Sequence, residues 1–114
     1  LLSPTTDASR VDIIVNQASG FVYYVSLKGV TGSKNLDIDE VAGRVAEIRA
    51  LTTLPIGVGF GVRDSATAKA VAKIADAVVV GSRMVQAVEG STPDTVVANL
   101  AALTAELRQA IDSH

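Results

Sequence analysis

The chain has 114 residues, 48% hydrophobic and 19% charged, the size and make-up of one small globular domain rather than of a disordered segment. Ten basic against twelve acidic residues give a formal net charge of −2 with no basic block, which excludes the electrostatic footprint of a nucleic-acid binder. There is no cysteine, so disulfides, thiolate catalysis and Cys-based metal sites are excluded, and no apolar run approaches the roughly 20 residues of a membrane span.

In chain order, Leu1-Leu2 reads as the tail of a strand and Pro4-Thr5-Thr6-Asp7 as a loop ending in an N-cap. The start has no basic segment followed by a long apolar one, so it is not a signal peptide; it opens as if inside a strand, the mark expected of a fragment. Between Ala8 and Ser19, Val11, Ile14, Val15 and Ala18 share one helical face, with Gly20 as the expected C′ glycine. Residues 21–26 (Phe-Val-Tyr-Tyr-Val-Ser) have strand propensity, and a polar, glycine-bearing loop follows to about Leu36. Asp37 or Asp39 is expected to cap the next helix, whose face is Val41, Val45, Ile48 and Thr52.

Pro55-Ile56-Gly57-Val58 reads as a strand, Asp64 as an N-cap, and Ala68, Val71, Ala72 and Ala75 as the inner face of a small-residue helix. Asp76 to Val80 is strand-like and runs into Gly81-Ser82 and a short helix over 83–89, with Met84, Val85 and Val88 as its core contacts. Pro93 is placed in the first turn of the last helix, whose stripe is Val96, Leu100, Leu103, Leu107 and Ile111. Strands alternating with helices imply parallel, right-handed crossovers, an α/β fold that is half of an eight-stranded barrel or a small open sheet. Aliphatic residues fill the core; Trp is absent, and there are only two Phe and two Tyr, which suits strands buried on both faces. The only histidine, His114, is the last residue and is read as inert.

Three strands end in glycine: Val25 leads to Gly29-Val30-Thr31-Gly32, Val58 to Gly59-Phe60-Gly61, and Val80 to Gly81-Ser82. In parallel α/β architectures these loops gather at the carboxyl ends of the strands. Glycine there permits positive φ and close approach of a ligand to the backbone, and a helix start offers N–H groups to an anion. A phosphate cradle is therefore expected. Two nucleotide motifs fail: a dinucleotide fingerprint from Gly57 meets Val62 where glycine or alanine is needed, and Gly29 to Lys34 lacks the Gly-Lys-Ser/Thr of a P-loop. The carboxylates Asp37, Asp39, Glu40, Asp64 and Asp76 are read as caps, first-turn charges or strand-edge groups. Lys28, Arg63 and Arg83 are read as solvated charges.

The run from Gly20 through Tyr23-Tyr24-Val25-Ser26 to Gly29-Val30-Thr31-Gly32 closely resembles the sixth strand and mobile loop of tryptophan synthase α chains. Gly57 to Val62 resembles the seventh strand and loop of that family, and Val80 to Val85 the eighth. The resemblance spans residues 1–114. It implies a (β/α)8 TIM barrel of which this chain is the C-terminal half, about strands 5–8 with their helices.

The resemblance further implies a lyase of tryptophan biosynthesis that cleaves indole-3-glycerol phosphate into indole and glyceraldehyde 3-phosphate. By position, Gly32, Gly61, Gly81 and Ser82 match the phosphate-binding residues, Tyr23 and Phe60 the indole pocket, and Thr31 the mobile loop. The catalytic carboxylates of the family lie in the N-terminal half, so no catalytic residue and no metal site is expected here, and the segment alone is expected to be inactive. Implied partners are that N-terminal half and, in an α2β2 assembly in the cytoplasm, a β subunit; pyridoxal phosphate is expected only there, with no cofactor in this chain. The alternatives are another phosphate-binding barrel enzyme of tryptophan or histidine biosynthesis, or a non-catalytic half-barrel binding domain.

Overall fold

A computed structural model describes residues 1–25, 38–59 and 62–113. Its elements are α1 (Ala8–Gln17), β1 (Val22–Val25), α2 (Ile38–Arg49), β2 (Ile56–Gly59), α3 (Ser65–Ala72), β3 (Ala77–Val79), α4 (Ser82–Glu89) and α5 (Val96–Asp112). The three strands form one parallel sheet in the order β1-β2-β3, with Val22 opposite Ile56 and Gly57 opposite Ala77. Leu2 adds a fourth position beside β1: its N–H donates to the Tyr23 carbonyl and its carbonyl accepts from Val25 N–H, both at 2.8 Å. The four strand positions expected from the sequence are all present, in chain order.

Alternation along the strands sends Val22, Tyr24, Ile56 and Val58 to one face of the sheet, where all four are buried. The helices cover that face with the residues their periodicity selects: Val11 and Val15 from α1, Val41, Val45 and Ile48 from α2, Ala68 and Val71 from α3, and Leu103 and Leu107 from α5. Burying a side chain such as Ile48 or Val58 contributes on the order of 1.5–3 kcal/mol. This is the principal force holding the layers together.

Side-chain caps set the starts of α1 and α3. Asp7 accepts from Arg10 N–H at 2.9 Å, and Asp64 accepts from Thr67 N–H at 2.8 Å while the Thr67 hydroxyl accepts from Asp64 N–H. Several boundaries differ from expectation; α2 ends at Arg49 and α3 at Ala72, so Thr52 and Ala75 lie past the helices they were expected to line. α1 closes at Ala18, which takes an extended conformation, so Gly20 is not its C′ residue; it makes the turn into β1 with φ of 80°. α2 begins at Ile38, so Asp39 and Glu40 lie in its first turn, and Asp37 lies outside the described residues. Pro93 sits ahead of α5 rather than in its first turn, because the Thr95 hydroxyl accepts from Thr92 N–H and closes a separate turn there.

Candidate functional site

All three strands run the same way, so Val25, Gly59 and Val79 bring their carboxyl ends to one edge of the sheet. That edge is the candidate site. β3 passes through Val80 into Gly81, the N-cap of α4, and Ser82 is the first helical residue. Gly81 and Ser82 are both exposed, and a Cβ built on Gly81 would meet nothing within 4 Å. Gly81 has φ of −117°, so its backbone does not call on glycine's access to positive φ; what the missing side chain leaves is open approach to the helix start. The first N–H groups of an α-helix have no partner within the helix and carry the positive end of its dipole.

Tyr23 reaches the same edge from β1. It stands opposite Gly57, yet its ring crosses β2 at Gly59, one pleat nearer the carboxyl end: a Cβ at Gly59 would overlap the Tyr23 hydroxyl. Phe21 lies over Gly57 in the same way, with ring atoms 3.6 Å from where a Cβ would be. Two aromatics spaced by two residues thus lie on two glycines spaced by two residues. The pairing of Phe21 and Tyr23 with Gly57 and Gly59 went unread in the sequence, although both spacings are visible there.

Of the other expected site residues, Thr31 and Gly32, with the loop around them that was expected to be mobile, and Phe60 and Gly61 lie outside the described residues, as do Lys28 and His114. Several of the described carboxylates have structural partners. Besides the caps at Asp7 and Asp64, Asp76 Oδ2 accepts from Ile56 N–H at 2.8 Å and pairs with Arg49 at 3.0 Å. The Ile56 N–H holds the Asp76 carboxyl below its ordinary 3.8, with Arg49 acting the same way. Backbone donation from Thr67 does the same for Asp64, and from Arg10 for Asp7. Among the described residues no three His, Cys, Asp or Glu gather as a metal-ligand set, and no helix is long and apolar enough to cross a membrane.

Two expectations for α4 are corrected. Met84 packs against the core, but Val85 and Val88 are 56% and 47% exposed, because the eight-residue helix meets its neighbours only along the stripe of Met84 and Ala87. Arg83 is half-buried rather than fully solvated; with Gln86, Asn99 and Glu106 it lines an open cavity of about 420 Å³ between α4 and α5.

The model of one protein family, described as tryptophan synthase alpha chain, matches residues 1–112. This chain belongs to that family. The tryptophan synthase alpha chain of Chromobacterium violaceum is 60% identical over 111 residues, covering 97% of this chain and 42% of its own length. That of Burkholderia mallei (strain NCTC 10229) is 55% identical over 112 residues, 98% of this chain and 41% of its own. The chain therefore spans about two fifths of the length of the curated relatives it matches.

Solved structures agree. Tryptophan synthase from Mycobacterium tuberculosis in space group F222 superposes with a TM-score of 0.81 at 34% identity, over 96% of this chain and 40% of that one. The alpha subunit from Legionella pneumophila gives 0.79 at 32%, over 98% and 41%. The parallel βα units are thus the C-terminal half of a tryptophan synthase alpha TIM barrel.

Proposed function

We propose that this chain supplies the phosphate- and indole-binding half of a tryptophan synthase α subunit, a lyase that cleaves indole-3-glycerol phosphate to indole and glyceraldehyde 3-phosphate. The observation that carries the reading is the family match over residues 1–112, which falls on a chain whose Gly81-Ser82 helix start and Tyr23 ring share one sheet edge. In this reading the substrate phosphate sits at the start of α4, where unpaired N–H groups and the helix dipole favour an anion. Gly32 and Gly61 complete the cradle, Tyr23 and Phe60 flank the indole, and Thr31 belongs to a loop that closes over the site. Proton transfer to the indole carbon and from the glycerol hydroxyl falls to carboxylates of the N-terminal half. That half and, in an α2β2 assembly in the cytoplasm, a β subunit holding pyridoxal phosphate are the partners. This chain itself takes no cofactor.

Indole release, assayed for residues 1–114, for a matching N-terminal half and for their mixture, tests the reading. Losing positioned proton transfer removes on the order of 10²–10⁴-fold in rate, so each half alone is inactive and the mixture regains cleavage. Substantial activity from residues 1–114 alone would show that its own carboxylates are catalytic. A folded but inactive mixture would leave a non-catalytic half-barrel.

A further inference from the structure

One polar pair on the helix-covered face of the sheet has no part in the chemistry above. Tyr24 is fully buried there, and among the described residues its hydroxyl has no hydrogen-bond partner. Beside it runs Arg44 of α2, whose Nε is also buried and without a partner among those residues. Burial raises the Tyr24 phenol above its ordinary 10.0 and the Arg44 guanidinium opposes that rise, but no hydrogen bond of normal geometry joins the two groups.

The rest of the guanidinium is committed. Nη1 donates to Glu47 Oε2 at 2.7 Å, and Nη2 donates to the Thr6 carbonyl at 2.5 Å, across 38 residues of sequence. Thr6 is held in turn to Ser3, its N–H donating to the Ser3 carbonyl at 3.1 Å while its hydroxyl accepts from Ser3 N–H at 3.1 Å. Leu2, the preceding residue, is bonded to β1 on both sides of Tyr24. A closed circuit results: from β1 to Leu2, through the turn to Thr6, across to Arg44, and back beside Tyr24. Polar groups buried without partners cost free energy, and an apolar pair of similar volume would avoid that cost. An arginine in this place has a use that an apolar residue lacks, because its planar fork donates in several fixed directions at once.

We infer that Arg44 is a positioning residue for Tyr23. By fastening the turn at Ser3–Thr6 to α2 beside Tyr24, it fixes the carboxyl end of β1, and successive strand residues point to opposite faces. The strand end that Arg44 holds from the helix side therefore carries the Tyr23 ring on the other side, aimed past Gly59. This role rests on the reading of Tyr23 as a wall of the ligand pocket.

Tyr23 and Tyr24 are the only tyrosines and there is no tryptophan, so 3-fluorotyrosine labelling gives two ¹⁹F resonances, assigned with Tyr23→Phe and Tyr24→Phe. In Arg44→Met both resonances shift by more than their linewidths. Arg44→Lys, which keeps the charge and most of the stem, fails to restore the Tyr23 resonance, and it answers the same question where the Met variant does not fold. Glu47→Gln, which removes only the charge of the surface partner, leaves Tyr23 unmoved. A Tyr23 resonance unchanged in a folded Arg44 variant overturns the role, whatever happens at Tyr24. In the mixture with the N-terminal half, Arg44→Lys raises KM for indole-3-glycerol phosphate more than it lowers kcat, with a loss in kcat/KM of up to about 10²-fold. An inactive wild-type mixture counts against the function alone, because the ¹⁹F result needs no substrate.

Discussion

The ring of Tyr23 occupies the space that a side chain at Gly59 would need: a Cβ there would lie 2.9 Å from Tyr23 Cζ and 3.0 Å from Val79 Cβ, and would overlap the Tyr23 hydroxyl. Gly59→Ala is therefore expected to destabilise the chain by about 1–3 kcal/mol, the usual cost of overpacking. Tyr23→Ala removes the main obstacle, so the cost of Gly59→Ala shrinks in the double variant, with a coupling of about 0.5–3 kcal/mol. Urea denaturation of the two single variants and the double variant measures this. Equal costs in both backgrounds would show that the two residues do not compete for space.

Gly81 gives the opposite expectation. Nothing lies within 4 Å of a Cβ there, so Gly81→Val meets no steric obstacle and costs at most about 1 kcal/mol through a poorer N-cap. If an anion uses the start of α4, the same change lowers affinity for glycerol 3-phosphate by about tenfold or more, through blocked approach to the backbone. Calorimetric titration of the assembled barrel decides it, and undiminished affinity in the folded variant removes the cradle.

The Asp64 cap holds the start of α3, whose Ala68 and Val71 are fully buried. Asp64→Ala should lower stability by about 0.5–2 kcal/mol, and Asp64→Asn by clearly less, since an amide oxygen still caps. Equal losses for the two would place the effect in the charge rather than in the hydrogen bond.

Acid behaviour follows from Asp76 and Asp64, whose folded pKa values lie below the unfolded 3.8. A depressed carboxyl contributes stability that is fully present above 3.8 and disappears as pH falls through the folded value. Unfolding free energy should thus decline below about pH 4. Asp76→Asn should flatten part of that decline and leave Arg49 without its ion-pair partner, though still bonded to the Ile74 carbonyl. A decline of unchanged steepness in Asp76→Asn would show that Asp76 contributes nothing to it.

At the alkaline end Tyr24 acts with the opposite sign. Its folded pKa is raised above 10.0, so stability is intact below 10.0 and falls as pH rises through the folded value, the unfolded phenol ionising first. Tyr24→Phe should reduce the loss of stability above pH 10 while keeping the fold at neutral pH, as followed by far-UV circular dichroism. An unaltered alkaline limb in Tyr24→Phe would contradict the burial argument.

Much of this architecture was legible because its causes are local. The inward positions of α2, Val41, Val45 and Ile48, follow from spacing alone, and the Asp64–Thr67 cap spans three residues. The seating of Tyr23 on Gly59 could not be read, because it depends on which strand is the neighbour and in what register. The Arg44–Thr6 bond was hidden for a similar reason: 38 residues separate its ends, and an arginine in an amphipathic helix looks like any solvated charge. Val85 and Val88 misled because apolar character marks a candidate for burial, whereas burial also needs a surface to lie against. In the candidate site, the place of Gly81, Ser82 and Tyr23 at one sheet edge was legible, while the seating of the Tyr23 ring on Gly59 was not.

The spatial order β1-β2-β3 is also the order of synthesis. Of these three strands β1 leaves the ribosome first, and β2 then meets an edge that is already laid down. β3 arrives last and adds to the outer side of β2, beside Val58 and Gly59. No strand has to be inserted between two that have already paired, so growth proceeds from one end by accretion, and an early mispairing need not be undone for a later strand to find its place. Once residue 59 has cleared the exit tunnel, β1 and β2 can pair with Leu2 already beside β1, and the outer edge of β2 stays free for β3, still inside the tunnel.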